Sequence, residues 1–116
     1  MTSFQAYRLV DTGGKPDGRL VAMRPDELSP GEVLIRTAYA SVNYKDALAA
    51  HGKNKIIRQY PRIGGIDLVG TVAESGDSRL RTGDPVIVHG FGVGVDHDGG
   101  YAEYARMPAD WVLPLP

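Results

Sequence analysis

The chain has 116 residues, 42% of them apolar and 23% charged, with a formal net charge of −1. That length suits one domain able to bury roughly two thirds of the surface its unfolded chain exposes, and the even mixing of acidic and basic residues argues against a face built to neutralise nucleic-acid phosphates. There is no cysteine, which excludes disulfides, thiol nucleophiles and thiolate metal sites; no apolar run approaches the roughly 18 residues that cross a bilayer, and the amino-terminal residues lack a secretory pattern, so the expected setting is the cytoplasm, with no membrane partner.

Fifteen glycines and eight prolines make about a fifth of the chain, against an average usage near 12%. They favour many turns between short strands. Residues 4–10 read as a first strand, and the turn formers over 11–18 suggest a hairpin back into 20–23. Pro30-Gly31 closes a punctuated connection. Residues 32–42 form the longest strand pattern, with both faces partly apolar, as expected inside a sheet or barrel wall. Good helix formers over 44–51 predict about two turns of helix, with Asn43 as a possible N-cap and Gly52 as the C-terminal glycine. A loop over 53–62 leads into a strand over 63–73 whose glycines at 64, 65 and 70 predict a bend or a close backbone approach. Short strands at 86–88, 101–107 and 111–113 complete the pattern, with a long loop over 89–100. Strands and helices do not alternate, so a doubly wound nucleotide-binding sheet is not expected; a β-barrel or sandwich is.

Three clusters invite a chemical reading. Gly90 and Gly92 begin a dinucleotide-type spacing, but position 95 is Val and no helix pattern follows, leaving either a ligand-lining loop or a plain connection. Asp96-His97-Asp98, with His89 nearby, offers imidazole and carboxylate groups, although a solvated acidic loop is the expected reading. Asn43-Tyr44-Lys45-Asp46 lies where the long strand gives way to the helix. It reads equally as a structural helix start or as a set of chemical groups.

The ordered blocks Gly31-Glu32-Val33-Leu34-Ile35, Val42-Asn43-Tyr44-Lys45-Asp46, Gly65-Ile66-Asp67-Leu68-Val69-Gly70-Thr71-Val72, Gly83-Asp84-Pro85-Val86 and Gly99-Gly100-Tyr101-Ala102-Glu103-Tyr104 resemble the catalytic domain of medium-chain dehydrogenase/reductases over essentially the whole chain. The Asn-Tyr-Lys-Asp-Ala-Leu, Lys-Ile-Ile-Arg and Gly-Phe-Gly-Val-Gly stretches resemble its zinc-independent branch of quinone oxidoreductases and acryloyl-CoA reductases. The resemblance implies a mainly β, partly open GroES-like barrel with one or two short helices over residues 1–116. Family members continue into a Rossmann domain that binds NADPH; this chain stops before it, so the isolated chain is expected to be inactive.

By the same resemblance, Asn43 stands where zinc enzymes of the superfamily carry a ligand Cys, and Ile66 where they carry a ligand His, so no metal is expected. The implied catalytic residues are Asn43, Tyr44 and Asp67. The implied cofactor contacts are Tyr44, Lys45 and Phe91. Substrates would be quinones, enones or acyl-CoA thioesters, and the full-length protein a homodimer. Two departures stand out: Gly64, where the family usually has Pro, and His51, where small hydroxyl residues are usual. The alternative is a non-catalytic GroES-like module that binds a protein partner.

Overall fold

The computed structural model describes residues 3–52 and 56–116, so the start of the loop expected over 53–62 lies outside the described residues. Strand β1 (Phe4–Thr12) turns directly into β2 (Lys15–Met23), with only Gly13 and Gly14 between them. These two glycines have φ of 65° and 89°, the pair of left-handed conformations that a tight two-residue hairpin turn requires. The hairpin is therefore longer, and its turn shorter, than the turn-rich composition of 11–18 suggests. Pro16 is accommodated because β2 is the edge of its sheet, where a missing N–H costs no ladder bond.

Strand β3 (Val33–Tyr39) buries residues of both faces. Val33 and Ile35 join one apolar core and Leu34 another, which agrees with its expected position inside a barrel wall. It ends at Tyr39 rather than at residue 42, because its pairing with the next long strand ends with Tyr39 opposite Val69. A seven-residue helix α1 (Tyr44–Ala50) follows, with His51 as its C-cap and Gly52 beyond it at φ 70°, the left-handed glycine expected from sequence.

The strand expected over 63–73 is divided into β4 (Arg62–Ile63) and β5 (Asp67–Ser75). Gly65, at φ 95°, turns the chain from one sheet to the other. β6 (Pro85–His89) pairs with β5, and β7 (Tyr104–Met107) pairs with β3. β7 is shorter than the sequence pattern, since residues 101–103 cross to β1 through Tyr7 N to Tyr101 O (2.7 Å) and Glu103 N to Gln5 O (3.0 Å), while Glu103 O still accepts from Thr37 N of β3 (2.9 Å). At the carboxyl end, a 3-10 turn (Ala109–Trp111) replaces the expected strand start, and β8 (Leu113–Pro114) pairs with β6.

The result is a three-stranded sheet ordered β2-β1-β4 and a five-stranded sheet ordered β7-β3-β5-β6-β8, stitched along residues 101–103 without full closure. This is the partly open barrel expected. The main core gathers Val33, Ile35, Leu68, Val72, Val86, Val88 and Met107. A satellite of Leu9, Ala49 and Ile57 fixes α1 against the outer face of the hairpin. Among the described residues, no helix is long and apolar enough to cross a membrane.

Candidate functional site

Residues 40–43 connect β3 to α1 without belonging to either, so side chains must supply what a ladder or helix would. Asp46, buried in the first turn of α1 at 6% exposure, does much of this. Its Oδ2 accepts from the Asn43 backbone N–H (3.0 Å) and from Asn43 Nδ2 (3.1 Å), and its Oδ1 accepts from Ile66 N (3.1 Å). A carboxylate at the third helical position that reaches back to the N-cap is half of a capping box. Here the same carboxylate also ties the helix start to the Gly65 bend.

Asp67, the first residue of β5, completes the arrangement. Its Oδ1 accepts from Ser41 N (2.8 Å), and its Oδ2 accepts from Asn43 Nδ2 (3.1 Å). Carboxylates accept only, so both hydrogens of the Asn43 amide nitrogen point at acids. Asn43 is the N-cap by position, and its amide nitrogen bridges two carboxylates. It cannot donate to a ligand without giving up one of these bonds.

Tyr101, from the segment before β7, reaches the same connection. Its Oη donates to the Ser41 carbonyl at 2.7 Å. Burial, then the Asp46 and Asp67 carboxylates, push its phenol above the usual tyrosine range, which keeps it a donor.

Beside this network lies a cleft of about 240 Å³ lined by Tyr39, Ala40, Ser41, Asp67, Leu68, Val69, Ile87 and His89. His89 faces Asp67 across the β5 and β6 pairing. Of the residues singled out from sequence, Asn43 and Asp67 are hydrogen-bonded to each other, and Asp67 lines the cleft. Tyr44 and Lys45 are exposed at the start of α1. Tyr44 borders a separate depression of about 250 Å³ with Ala47, Leu48 and His51. Phe91 is not among the cleft-lining residues: it stacks on Trp111 with ring centroids 5.1 Å apart and planes 3° from parallel, in a left-handed conformation at φ 54°. Asp46 belongs to the polar cluster read at the helix start, its spacing of three from a capping residue being the signal, while Ser41 and Tyr101 enter the site through hydrogen bonds that the sequence does not display.

The glycine-rich loop also has a structural purpose. A Cβ on Gly94 would lie 2.4 Å from Gly65 O, and one on Gly99 only 2.0 Å from it. Gly99 N donates to Ile63 O (2.8 Å) and Gly100 N to Gly65 O (3.0 Å). The loop is thus pressed backbone to backbone against the bend that carries Ile66 and Asp67.

Within Asp96-His97-Asp98, Asp96 is solvated as expected and the next two residues are not. His97 and Asp98 are each 8% exposed. Asp98 accepts from Ile63 N (3.0 Å) and Ser29 N (3.2 Å) and lies 3.7 Å from Arg62 Nη1, while His97 Nε2 donates to Arg106 O at 2.6 Å. The reason is that buried backbone donors at the sheet junction need acceptors, and Asp98 supplies them. Among the described residues, no group of three or more His, Asp or Glu side chains is placed to hold a metal ion.

Comparison with known proteins places this geometry in context. The family "Alcohol dehydrogenase GroES-like domain" matches residues 29–116. The chain is 42% identical over 115 residues to YhfP of Bacillus subtilis (strain 168), provisionally named a quinone oxidoreductase; the match covers 99% of this chain and 35% of YhfP. It is 40% identical over 106 residues to acrylyl-CoA reductase AcuI of Ruegeria pomeroyi, covering 91% of this chain and 32% of AcuI. Among solved structures, the YhdH oxidoreductase of Salmonella enterica in complex with NADP superposes with a TM-score of 0.94 at 45% identity, covering 97% of this chain and 35% of that one. The chain thus spans about a third of the length of the relatives it matches.

Proposed function

Because the chain belongs to the alcohol dehydrogenase GroES-like domain family, we propose that it forms the substrate side of an NADPH-dependent, zinc-independent oxidoreductase reducing quinones or α,β-unsaturated carbonyl and acrylyl-thioester substrates. The observation that carries this reading is the Asn43 amide held by both Asp46 and Asp67. Where a metal enzyme would place a thiolate, this chain has a neutral amide committed to two carboxylates. Ile66, at the other expected ligand position, contributes its backbone N–H to Asp46. The names of relatives 40–42% identical over nearly the whole chain supply the substrate classes.

The residues present fit the cofactor. Val42 is 86% and Tyr44 81% exposed, an apolar and an aromatic surface left uncovered beside the network, suited to a planar ring. Tyr44 would face the nicotinamide, the Lys45 ammonium suits a ribose hydroxyl or phosphate, and Phe91 offers an aromatic face. When bound, NADPH supplies the hydride delivered to the substrate's β-carbon.

This chain's own contribution is polar. Reduction at the β-carbon leaves negative charge on the carbonyl oxygen, which a positioned donor stabilises. Asn43 has no amide hydrogen to spare, and we assign the donor role to the exposed Tyr44 hydroxyl. Asn43 and Asp67 hold the segment from which Tyr44 projects. The test is NADPH oxidation by a protein joining this chain to a nucleotide-binding domain, offered acrylyl-CoA, an enone and a quinone. Turnover with at least one is expected, and none with the 116-residue chain alone; inactivity of the joined protein with all three would refute the reading.

A further inference from the structure

We propose that Tyr101 is a positioning residue for this reaction: its phenol and the Asp67 carboxylate clamp the two backbone polar groups of Ser41 and so fix the 40–43 segment that presents Asn43 and Tyr44. The inference rests on the reductase reading for its catalytic consequence, whereas the clamp itself stands on geometry.

Ser41 is the midpoint of a connection with no ladder of its own. Its N–H donates to Asp67 Oδ1 at 2.8 Å and its carbonyl accepts from Tyr101 Oη at 2.7 Å. These anchors come from separate parts of the chain, β5 and the segment before β7. Ala40, Ser41 and Val42 are all exposed, so packing alone does not hold the segment, and water competes for any group that is released.

Tyr101 reaches the segment from a fixed base. Its backbone N donates to Gly64 O (3.1 Å) and its carbonyl accepts from Tyr7 N (2.7 Å). Its ring lies against the Gly64 and Gly65 bend so closely that a Cβ on Gly65 would come within 3.0 Å of Tyr101 Cδ1. Among the groups facing its hydroxyl, Asp46 and Asp67 can only accept, and the bond to Ser41 requires the phenol to keep its proton. Its hydrogen bond to the Ser41 carbonyl is the route by which it acts on the segment.

Tyr101→Phe keeps the ring packing and removes the donor. In the protein joining this chain to a nucleotide-binding domain, two quantities are measured. Hydrogen–deuterium exchange should accelerate several-fold over residues 40–44, whose Ser41 and Asn43 amides report on the clamp, and stay unchanged over β6. Steady-state kinetics with acrylyl-CoA should show kcat lowered about tenfold with KM for NADPH within about twofold. Unchanged exchange over 40–44 would overturn the clamp, and faster exchange with a wild-type kcat would overturn the positioning role. A parent protein inactive with every substrate, but showing the exchange difference, would refute the reductase reading while leaving the clamp intact.

Discussion

The side-chain amide of Asn43 donates to Asp67 Oδ2 across 3.1 Å, joining the start of the helix to the start of a central strand. With Asp46 taking the other amide hydrogen, Asn43 is a strut between two carboxylates rather than a free hydrogen-bond donor.

That division of labour makes Tyr44 the residue to mutate. The residue is 81% exposed, so Tyr44→Phe should change unfolding free energy by no more than about 0.5 kcal/mol. Loss of a donor to a developing oxyanion should lower kcat by roughly a hundredfold. Chemical denaturation and steady-state turnover on the same preparation check both halves, and a wild-type kcat would remove Tyr44 from the chemistry.

The adjacent glycines at the bend should respond oppositely to a methyl group. Gly65 has φ 95°, and a Cβ there would meet Gly100 N and Tyr101 N at 3.0 Å, whereas at Gly64 the nearest atom is 3.6 Å away and φ is not left-handed. Gly65→Ala should cost roughly 2–4 kcal/mol from conformation and crowding together. Gly64→Ala should stay within about 1 kcal/mol of the parent and, through reduced freedom of the unfolded chain, on its stable side. Urea midpoints of the two variants give the comparison.

Asp98 and Arg62 form a buried pair, with side chains 10% and 11% exposed. Asp98→Asn would leave the Arg62 charge without its counter-charge, a loss of about 3 kcal/mol or more. The neighbouring Asp96 is exposed, and Asp96→Asn should be close to neutral. Thermal melts of both variants separate a buried hub from a solvated loop.

His97 makes stability pH-dependent in a defined direction. Burial holds its pKa below the ordinary 6.5, outweighing the favourable bond to Arg106 and the nearby Asp98; Arg62 lowers it further. As pH falls below about 6.5, the unfolded chain takes up a proton that the folded imidazole resists, so stability falls; it recovers as pH rises back through that value. His97→Gln, which retains an N–H donor for the Arg106 carbonyl, should flatten the slope of the urea midpoint between about pH 5 and 7.

Much of this architecture was legible in the residues. The two-faced apolar pattern of Val33, Leu34 and Ile35 announced a strand inside a wall, and Gly52 marked the helix end. The bend at Gly64 and Gly65 was flagged by composition, although the division into two strands was not, because period-two alternation continues across a left-handed glycine. At the site, Asn43 and Asp67 could be named from the resemblance. Their direct bond, and the tie from Asp46 to Ile66, could not, since hydrogen bonds between residues twenty or more positions apart leave no periodic trace. Tyr101 was invisible for the same reason, and Asp98 looked like surface because a charged residue in a glycine-rich loop is usually solvated.

The central claim is that the network of Asn43, Asp46 and Asp67 organises a metal-free reductase site. Its most direct test is NADPH oxidation with acrylyl-CoA by the joined protein after exhaustive treatment with a strong zinc chelator. We expect a rate unchanged from the untreated enzyme and unaffected by added zinc. A rate abolished by chelation and restored by zinc would contradict the account.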